Sequence, residues 1–216
     1  HVGAGKRLKP AQWPGGNRVA VALSFDVDNA TMALSQGNLD YEVLSRGEYG
    51  AVDGLPRLLR LLDRQQVPAS FFIPAVSSLL HPQMIPDILA RKVHEIGIHG
   101  WIPELNSVLP YAAERDLMLR AADALERITG VRPVGIRTPS WDFSPNTLAI
   151  EKEMGLLYDS SLMADEDCYE LLLDGVPTGI VELPVEWVRD DAVYFMMHRF
   201  QSLRPHTPPR EVLEIF

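Results

Sequence analysis

The sequence predicts an α/β protein whose parallel strands curl into an irregular (β/α) barrel, and three observations predict it. Short apolar runs alternate with amphipathic helical stretches, the signature of parallel βα units. Polar residues of chemical interest lie just past the C-terminal ends of different runs: Asp26 and Asp28, His99, Arg137 and Trp141, Asp159, and Glu186. A barrel brings such ends together on one face, whereas an open doubly wound sheet gathers them only beside a switch point. Convergence from at least four strands favours the barrel.

The elements follow in order. Val19 to Phe25 is an apolar run ending at Asp26, suited to a strand buried on both faces. The polar stretch from Asn29 to Val52 is too long for an ordinary connection and is expected to be a functional loop. Leu55, Leu58, Leu59 and Leu62 fall at i, i+3, i+4 and i+7, which predicts a helix with Asp53 near its start. Ala69 to Ile73 reads as a strand closed by Pro74, Met84 to Val93 as a helix, and Glu95 to Ile98 as a strand ending at His99. Leu117, Ala121, Ala124, Leu125 and Ile128 share a helical face that Gly130 terminates. Val134 to Ile136 is a strand running into Arg137. Ser144 and Pro145 form an N-cap and a proline at the first helical position. Leu156 to Tyr158 and Ile180 to Val185 give two further strands, and Pro208 to Phe216 reads as the first turns of a helix. No repeat, linker or low-complexity segment interrupts the pattern, so residues 1–216 read as a single domain.

The totals narrow the partners. A net charge of −9 argues against a nucleic-acid backbone or an anionic membrane surface and only weakly favours a neutral or cationic substrate. Cys168 is the only cysteine, so no intrachain disulfide can form. No apolar run approaches the roughly 18 residues of a membrane span. His1 to Pro14 lacks the apolar region of a signal peptide, so a cytoplasmic location is expected. The chain lacks an initiating Met and stops in a helix without a C-cap signal, which suggests truncation before a last strand. A homo-oligomer is permitted but not specified.

Four constellations carry the chemistry. Asp26 and Asp28 lie two residues apart as a strand ends, so both would face one side; like charges so placed need a cation or a proton between them. An Asx-turn with a helix cap explains the same pair without chemistry. His99 at a strand end can ligate a divalent metal together with Asp28, or serve as a hydrogen-bonded structural residue; His94 precedes the strand and reads as structural. Arg137 can hold a neighbouring carboxylate ionised, and Trp141 offers a flat wall for a sugar ring; a structural salt bridge and a core tryptophan are the alternatives. A solvated acidic loop accounts for Asp190 and Asp191.

The order of these signals resembles the polysaccharide deacetylase (NodB-homology) family. It comprises Ser24-Phe25-Asp26-Val27-Asp28, then Phe71-Phe72-Ile73-Pro74, His94-Glu95-Ile96-Gly97-Ile98-His99-Gly100-Trp101, and Arg137-Thr138-Pro139-Ser140-Trp141. Tyr158 to Met163 and Glu182 to Trp187 continue it. The resemblance is nearest the branch with peptidoglycan-deacetylase-like, allantoinase-like and cyclic-imide-hydrolase-like members. It implies an irregular barrel with fewer than eight strands. It also implies metal-assisted hydrolysis of a C–N bond other than a peptide bond, with zinc the usual ion. By resemblance Asp26 is the general base, Arg137 orients it, Asp28 and His99 bind the metal, and Trp141, Pro139 and Trp101 line the substrate pocket. Two departures stand out. The family's second metal-binding histidine falls at position 103, which is Pro103, and its late segment with a proton-donating histidine is absent; His198 and His206 lie in another context. Turnover by this chain is therefore expected to be weak or absent, and a non-catalytic descendant that binds a saccharide or partner is the competing reading.

Overall fold

The computed structural model describes residues 1–196 and 205–216, with the backbone of 198–199 and 202–203. Its strands are β1 (Val2–Arg7), β2 (Ser24–Asp26), β3 (Ser70–Ile73), β4 (Glu95–Ile98), β5 (Gly135–Ile136), β6 (Tyr158–Asp159), β7 (Tyr169–Leu173) and β8 (Val176–Glu182). They make one sheet in the order β1-β7-β8-β6-β5-β4-β3-β2. The run from β2 to β6, and on to β8, is parallel, and β7 and β1 join it antiparallel. Among the described residues, β1 and β2 are its two unjoined edges, so this is an irregular barrel whose sheet is not closed. A separate ribbon pairs β9 (His198–Arg199) with β10 (Ser202–Leu203).

The helices are α1 (Thr31–Ser35), α2 (Tyr41–Tyr49), α3 (Leu55–Gln65), α4 (Ala75–Leu80), α5 (Met84–Leu89), α6 (Tyr111–Thr129), α7 (Thr147–Met154), α8 (Ala192–Phe195) and α9 (Pro209–Ile215). Strand residues Phe71, Ile73, Ile96, Ile98 and Ile136 form the core with Leu55 and Leu62 of α3 and Met118, Ala121 and Leu125 of α6. A smaller cluster of Leu148, Tyr169, Leu171 and Ile180 packs beneath α7 and β7–β8. Gly130 ends α6 in the left-handed conformation that its lack of Cβ permits. No helix is long and apolar enough to cross a membrane among the described residues.

Several expectations change. The apolar run before Asp26 is not a strand buried on both faces: only Ser24–Asp26 pairs, and Val19 and Val21 are 76% and 83% exposed. As an edge strand, β2 has a neighbour on one side only among the described residues; ahead of it the Leu23 carbonyl still accepts the Ser70 amide at 3.0 Å, while Val19 and Val21 stay uncovered. The stretch 29–52 is not a loop; it folds into α1 and α2, and a one-turn π-helix at Gly50–Gly54 leads into α3. The α-helical turns of α7 begin at Thr147, yet the Ser144 hydroxyl accepts from the amides of Asn146 and Thr147 at 2.9 and 3.2 Å, so Ser144 still performs the capping. Strands β1 and β7 were not anticipated. The hairpin β7–β8 turns on Asp174-Gly175, both left-handed, a pair that signals such a turn.

Candidate active site

The site is assembled where β2, β4 and β5 end. Beyond β2, the Val27 amide donates to the Phe72 carbonyl at 2.9 Å and so extends the ladder by one residue. The chain then bends: Asn29 is left-handed (φ 51), its amide donates to Ser77 Oγ at 2.9 Å, and Ser77 donates in turn to the Val27 carbonyl at 2.9 Å. Asp26 and Asp28 thus point to one side, toward His99. His99 Nε2 stands 3.7 Å from Asp26 Oδ2 and 3.6 Å from Asp28 Oδ1. Of the strand-end residues expected to converge, Asp26, Asp28 and His99 are brought together here.

Arg137 ties the site together. It is 8% exposed, and its Nη1 donates to Asp26 Oδ1 at 2.8 Å. Nη2 donates to Ser24 Oγ and Ser160 Oγ at 2.9 and 2.8 Å, and Nε to the Ser160 carbonyl at 2.9 Å. The guanidinium also lies 4.4 Å from the centre of the Phe72 ring. A fork held at this many points fixes one orientation of Asp26 and leaves its Oδ2 facing His99.

The imidazole is fixed as well. His99 Nδ1 is 2.7 Å from the Arg137 carbonyl, which can only accept, so Nδ1 carries the proton and Nε2 is directed at the two carboxylates. Asp28 Oδ1 is buried and has no hydrogen-bond partner. Burial pushes the Asp28 carboxyl up, the charge of His99 opposes this, and Asp26 adds to it. An anion pair with an orphaned oxygen calls for a positive charge in the gap.

The wall residues divide. Pro139 packs over Gly100, where a Cβ would meet the Pro139 ring at 2.8 Å, and Gly100 is left-handed (φ 73). Ser140 and Trp141 follow with φ of 57° and 56°, a costly conformation for a bulky side chain and one that marks functional turns. The Trp141 ring stacks against Trp187, centroids 4.5 Å apart and planes at 57°. Trp101 instead packs on the core and lies under the Arg120 guanidinium at 4.5 Å.

The remaining strand-end residues do not join the rim. Asp159 is fully buried, and Glu186 pairs with Arg189 at 3.1 Å on the surface. His94 accepts from the Ala69 amide at 3.2 Å, the structural role expected of it. The side chain of His198 lies outside the described residues, and His206 is exposed. Sequence reasoning missed Ser24 and Ser160, because serines at strand ends carry no distinguishing pattern. It missed Trp187 as the partner of Trp141, although it follows Glu186 at a strand end. The loop holding Asp190 and Asp191 is close enough to the site for Asp26 to help push the Asp191 carboxyl up, after burial and Asp190.

The family model for polysaccharide deacetylases matches residues 18–158, well over half of the chain. The chain belongs to the polysaccharide deacetylase family. Three similar proteins illustrate its range. A peptidoglycan deacetylase from Helicobacter pylori is 29% identical over 217 residues, covering 87% of this chain and 74% of its own. A crystal structure described as a polysaccharide deacetylase of Mycobacterium smegmatis shares 34% identity and superposes with a TM-score of 0.84, over 97% of this chain and 74% of that one. The crystal structure of the Puue allantoinase shares 25% identity with a TM-score of 0.76, over 91% of this chain and 70% of that one.

Polysaccharide deacetylases are typically metal-dependent, and the donor set here can be judged against that. Asp28 and His99 face each other with the orphaned oxygen between them, but the next position along is Pro103, which is buried and offers no donor. Glu104 does not replace it: its two oxygens each accept a backbone amide, from Trp101 and Ile102, both at 3.0 Å. Burial pushes the Glu104 carboxyl up, against those amide bonds. No group of three or more His, Cys, Asp or Glu side chains is arranged to hold a metal among the described residues. Catalytic zinc keeps three protein ligands, so this donor set does not fit it.

Proposed function

We propose that the site is built to hydrolyse a carbon–nitrogen bond other than a peptide bond, releasing acetate from an N-acetylated saccharide of the peptidoglycan type. The observation that supports this most is the Arg137 Nη1 to Asp26 Oδ1 contact of 2.8 Å, which leaves Asp26 Oδ2 toward His99. A carboxylate so held is an oriented general base. Water attacks the amide carbonyl carbon and gives its proton to Asp26 Oδ2. As the C–N bond breaks, the same proton passes to the departing nitrogen, which leaves as an amine. His99 and Asp28 border the reacting oxygen, and the Trp141–Trp187 pair supplies an apolar face on which a sugar ring can rest. A small amide or cyclic imide would use the same atoms, and the likeness to an allantoinase structure keeps that class in view.

Pro103 favours a second reading, in which this chain keeps the cleft and binds a saccharide without turning it over. With two ligands where zinc chemistry uses three, turnover by the chain as it stands is expected to be low or nil. Metal analysis of the purified protein, paired with an acetate-release assay on N-acetylglucosamine oligomers, separates the readings. Stoichiometric zinc with acetate release that Asp26→Asn abolishes supports the hydrolase; saccharide binding with neither zinc nor acetate supports the binder.

A further inference from the structure

On the far side of Ser160 from Arg137 lies a group of carboxyls that the site chemistry does not use. Glu151 of α7, Asp159 of β6 and Glu182 of β8 are fully buried. Asp159 has one donor on each oxygen, which leaves acceptor capacity on both: its Oδ2 accepts the Ser161 amide at 2.8 Å and its Oδ1 the Ser161 hydroxyl at 2.8 Å. Glu182 Oε1 accepts the amides of Ser161 and Leu162, both at 3.0 Å. Glu182 Oε2 and both oxygens of Glu151 receive no donor among the described residues. What they have is Asp159: it stands opposite Glu182 across the β6–β8 pairing and shares the Ser161 amide with it, and its carboxyl is among the groups that act on Glu151.

Three carboxyls joined by two hydrogen bonds need two protons among them. The other charged and titratable groups around the cluster do not resolve it. Glu114 of α6 is a further buried carboxylate, and it is satisfied by the hydroxyls of Ser144 at 2.7 Å and Thr147 at 2.5 Å. The Tyr169 hydroxyl of β7 accepts the Ala164 amide at 3.2 Å. Arg137 spends its donors on Asp26, Ser24 and Ser160. A metal cation is not indicated, since no three such ligands are arranged to hold one among the described residues.

We infer that Glu151 and Glu182 are neutral acids that each donate a proton to a single Asp159 carboxylate, and that this proton-bearing cluster positions Arg137 through Ser160 and Ser161. The relay is continuous. Asp159 and Glu182 grip Ser161, the Ser161 hydroxyl accepts the Thr138 amide at 2.9 Å, and Ser160 takes two donors of Arg137. Ser160 Oγ then donates to the Leu183 carbonyl at 2.8 Å, next to Glu182. Burial, followed by the neighbouring carboxylates, pushes Glu151 and Glu182 well above the ordinary range. The folded chain therefore binds protons that the unfolded chain has released. That stabilisation is complete below the ordinary carboxylate range of about 4.3 and is lost as pH climbs through the raised values.

Ser160, Ser161 and Arg137 make these contacts whether or not the site turns over, so the inference is tested without an activity assay. Infrared spectra of the full chain above the ordinary carboxylate range of about 4.3 are expected to show carbonyl stretches of two protonated acids, one lost in Glu151→Gln and the other in Glu182→Gln. Their absence from the parent spectrum overturns the proton assignment. The Arg137 Nε–H resonance, followed by NMR, is expected to move with the midpoint at which those bands disappear on alkaline titration. In the double variant Glu151→Gln with Glu182→Gln, which carries amide protons in place of titrating ones, it should stay fixed. An Arg137 signal that ignores the titration in the parent overturns the positioning role. The melting temperature of the parent should drop by roughly 5 °C or more over the same alkaline range, and that drop should largely vanish in the double variant. An undiminished drop there also overturns the inference.

Discussion

The rim at the ends of β2, β4 and β5 and the buried floor between β6, β8 and α7 solve one problem in two ways. At the rim the Asp26 carboxyl is paired with Arg137 at 2.8 Å, and its side chain is still 30% exposed. On the floor Asp159 is sealed from water with no cation against it, and we assign protons on Glu151 and Glu182 to do what the guanidinium does above. An ion pair fixes direction, and so it stands where a base must aim at substrate. A proton-sharing cluster tolerates full burial and holds the backbone of Ser160 and Ser161, on which the ion pair depends. The rim is also the incomplete region: its positive-charge gap between Asp28 and His99 has two ligands, whereas the assigned protons give the floor carboxyls partners for all but one oxygen of Glu151.

Removing the link between the regions has the largest expected effect. Arg137→Ala leaves Asp26, Ser24 and Ser160 without their donor, and urea unfolding should report a loss of about 3–5 kcal/mol. A loss under about 1 kcal/mol would mean that rim and floor are independent. Completing the rim comes next. Pro103→His, read by zinc titration, should tighten binding on the order of 100-fold, and the gain should disappear when Asp28→Ala is added. Loosening the floor comes third. Ser161→Ala removes a hydroxyl that serves Asp159 and the Thr138 amide together, and should cost about 1–3 kcal/mol by thermal or urea unfolding. The smallest effect is at the wall: Trp187→Ala should weaken binding of N-acetylglucosamine oligomers by about 1 kcal/mol in calorimetry. The same change should cost about 1 kcal/mol of stability, because Trp187 is half-exposed but packs against Trp141.

The two regions were unequally legible in the sequence. Asp26, Asp28, His99 and Arg137 each follow an apolar strand, so alternation and strand ends alone point to them as one rim. Nothing comparable marks the floor. Glu151 stands in Ile150-Glu151-Lys152-Glu153 and reads as the solvated face of a helix, and its burial arises only when α7 lies on the sheet. Ser24 and Ser160 are silent for a similar reason, since a serine acquires its role from the guanidinium that reaches it across the fold. The β7–β8 hairpin was readable in Leu171 to Val176, where Asp174-Gly175 follows apolar residues. The helices of 29–52 were harder, because a polar amphipathic stretch such as Tyr41–Tyr49, with no buried residue, carries a weak periodic signal.

The claim on which all this rests is that Asp26, oriented by Arg137, is a base aimed at an amide carbonyl. It is tested most directly by zinc-loaded Pro103→His, assayed for acetate released from N-acetylglucosamine oligomers and for ring opening of a cyclic imide. One of these activities is expected to appear, and to vanish when Asp26→Asn is added with zinc still bound. Activity that survives Asp26→Asn, or a zinc-loaded Pro103→His that performs neither reaction, contradicts it.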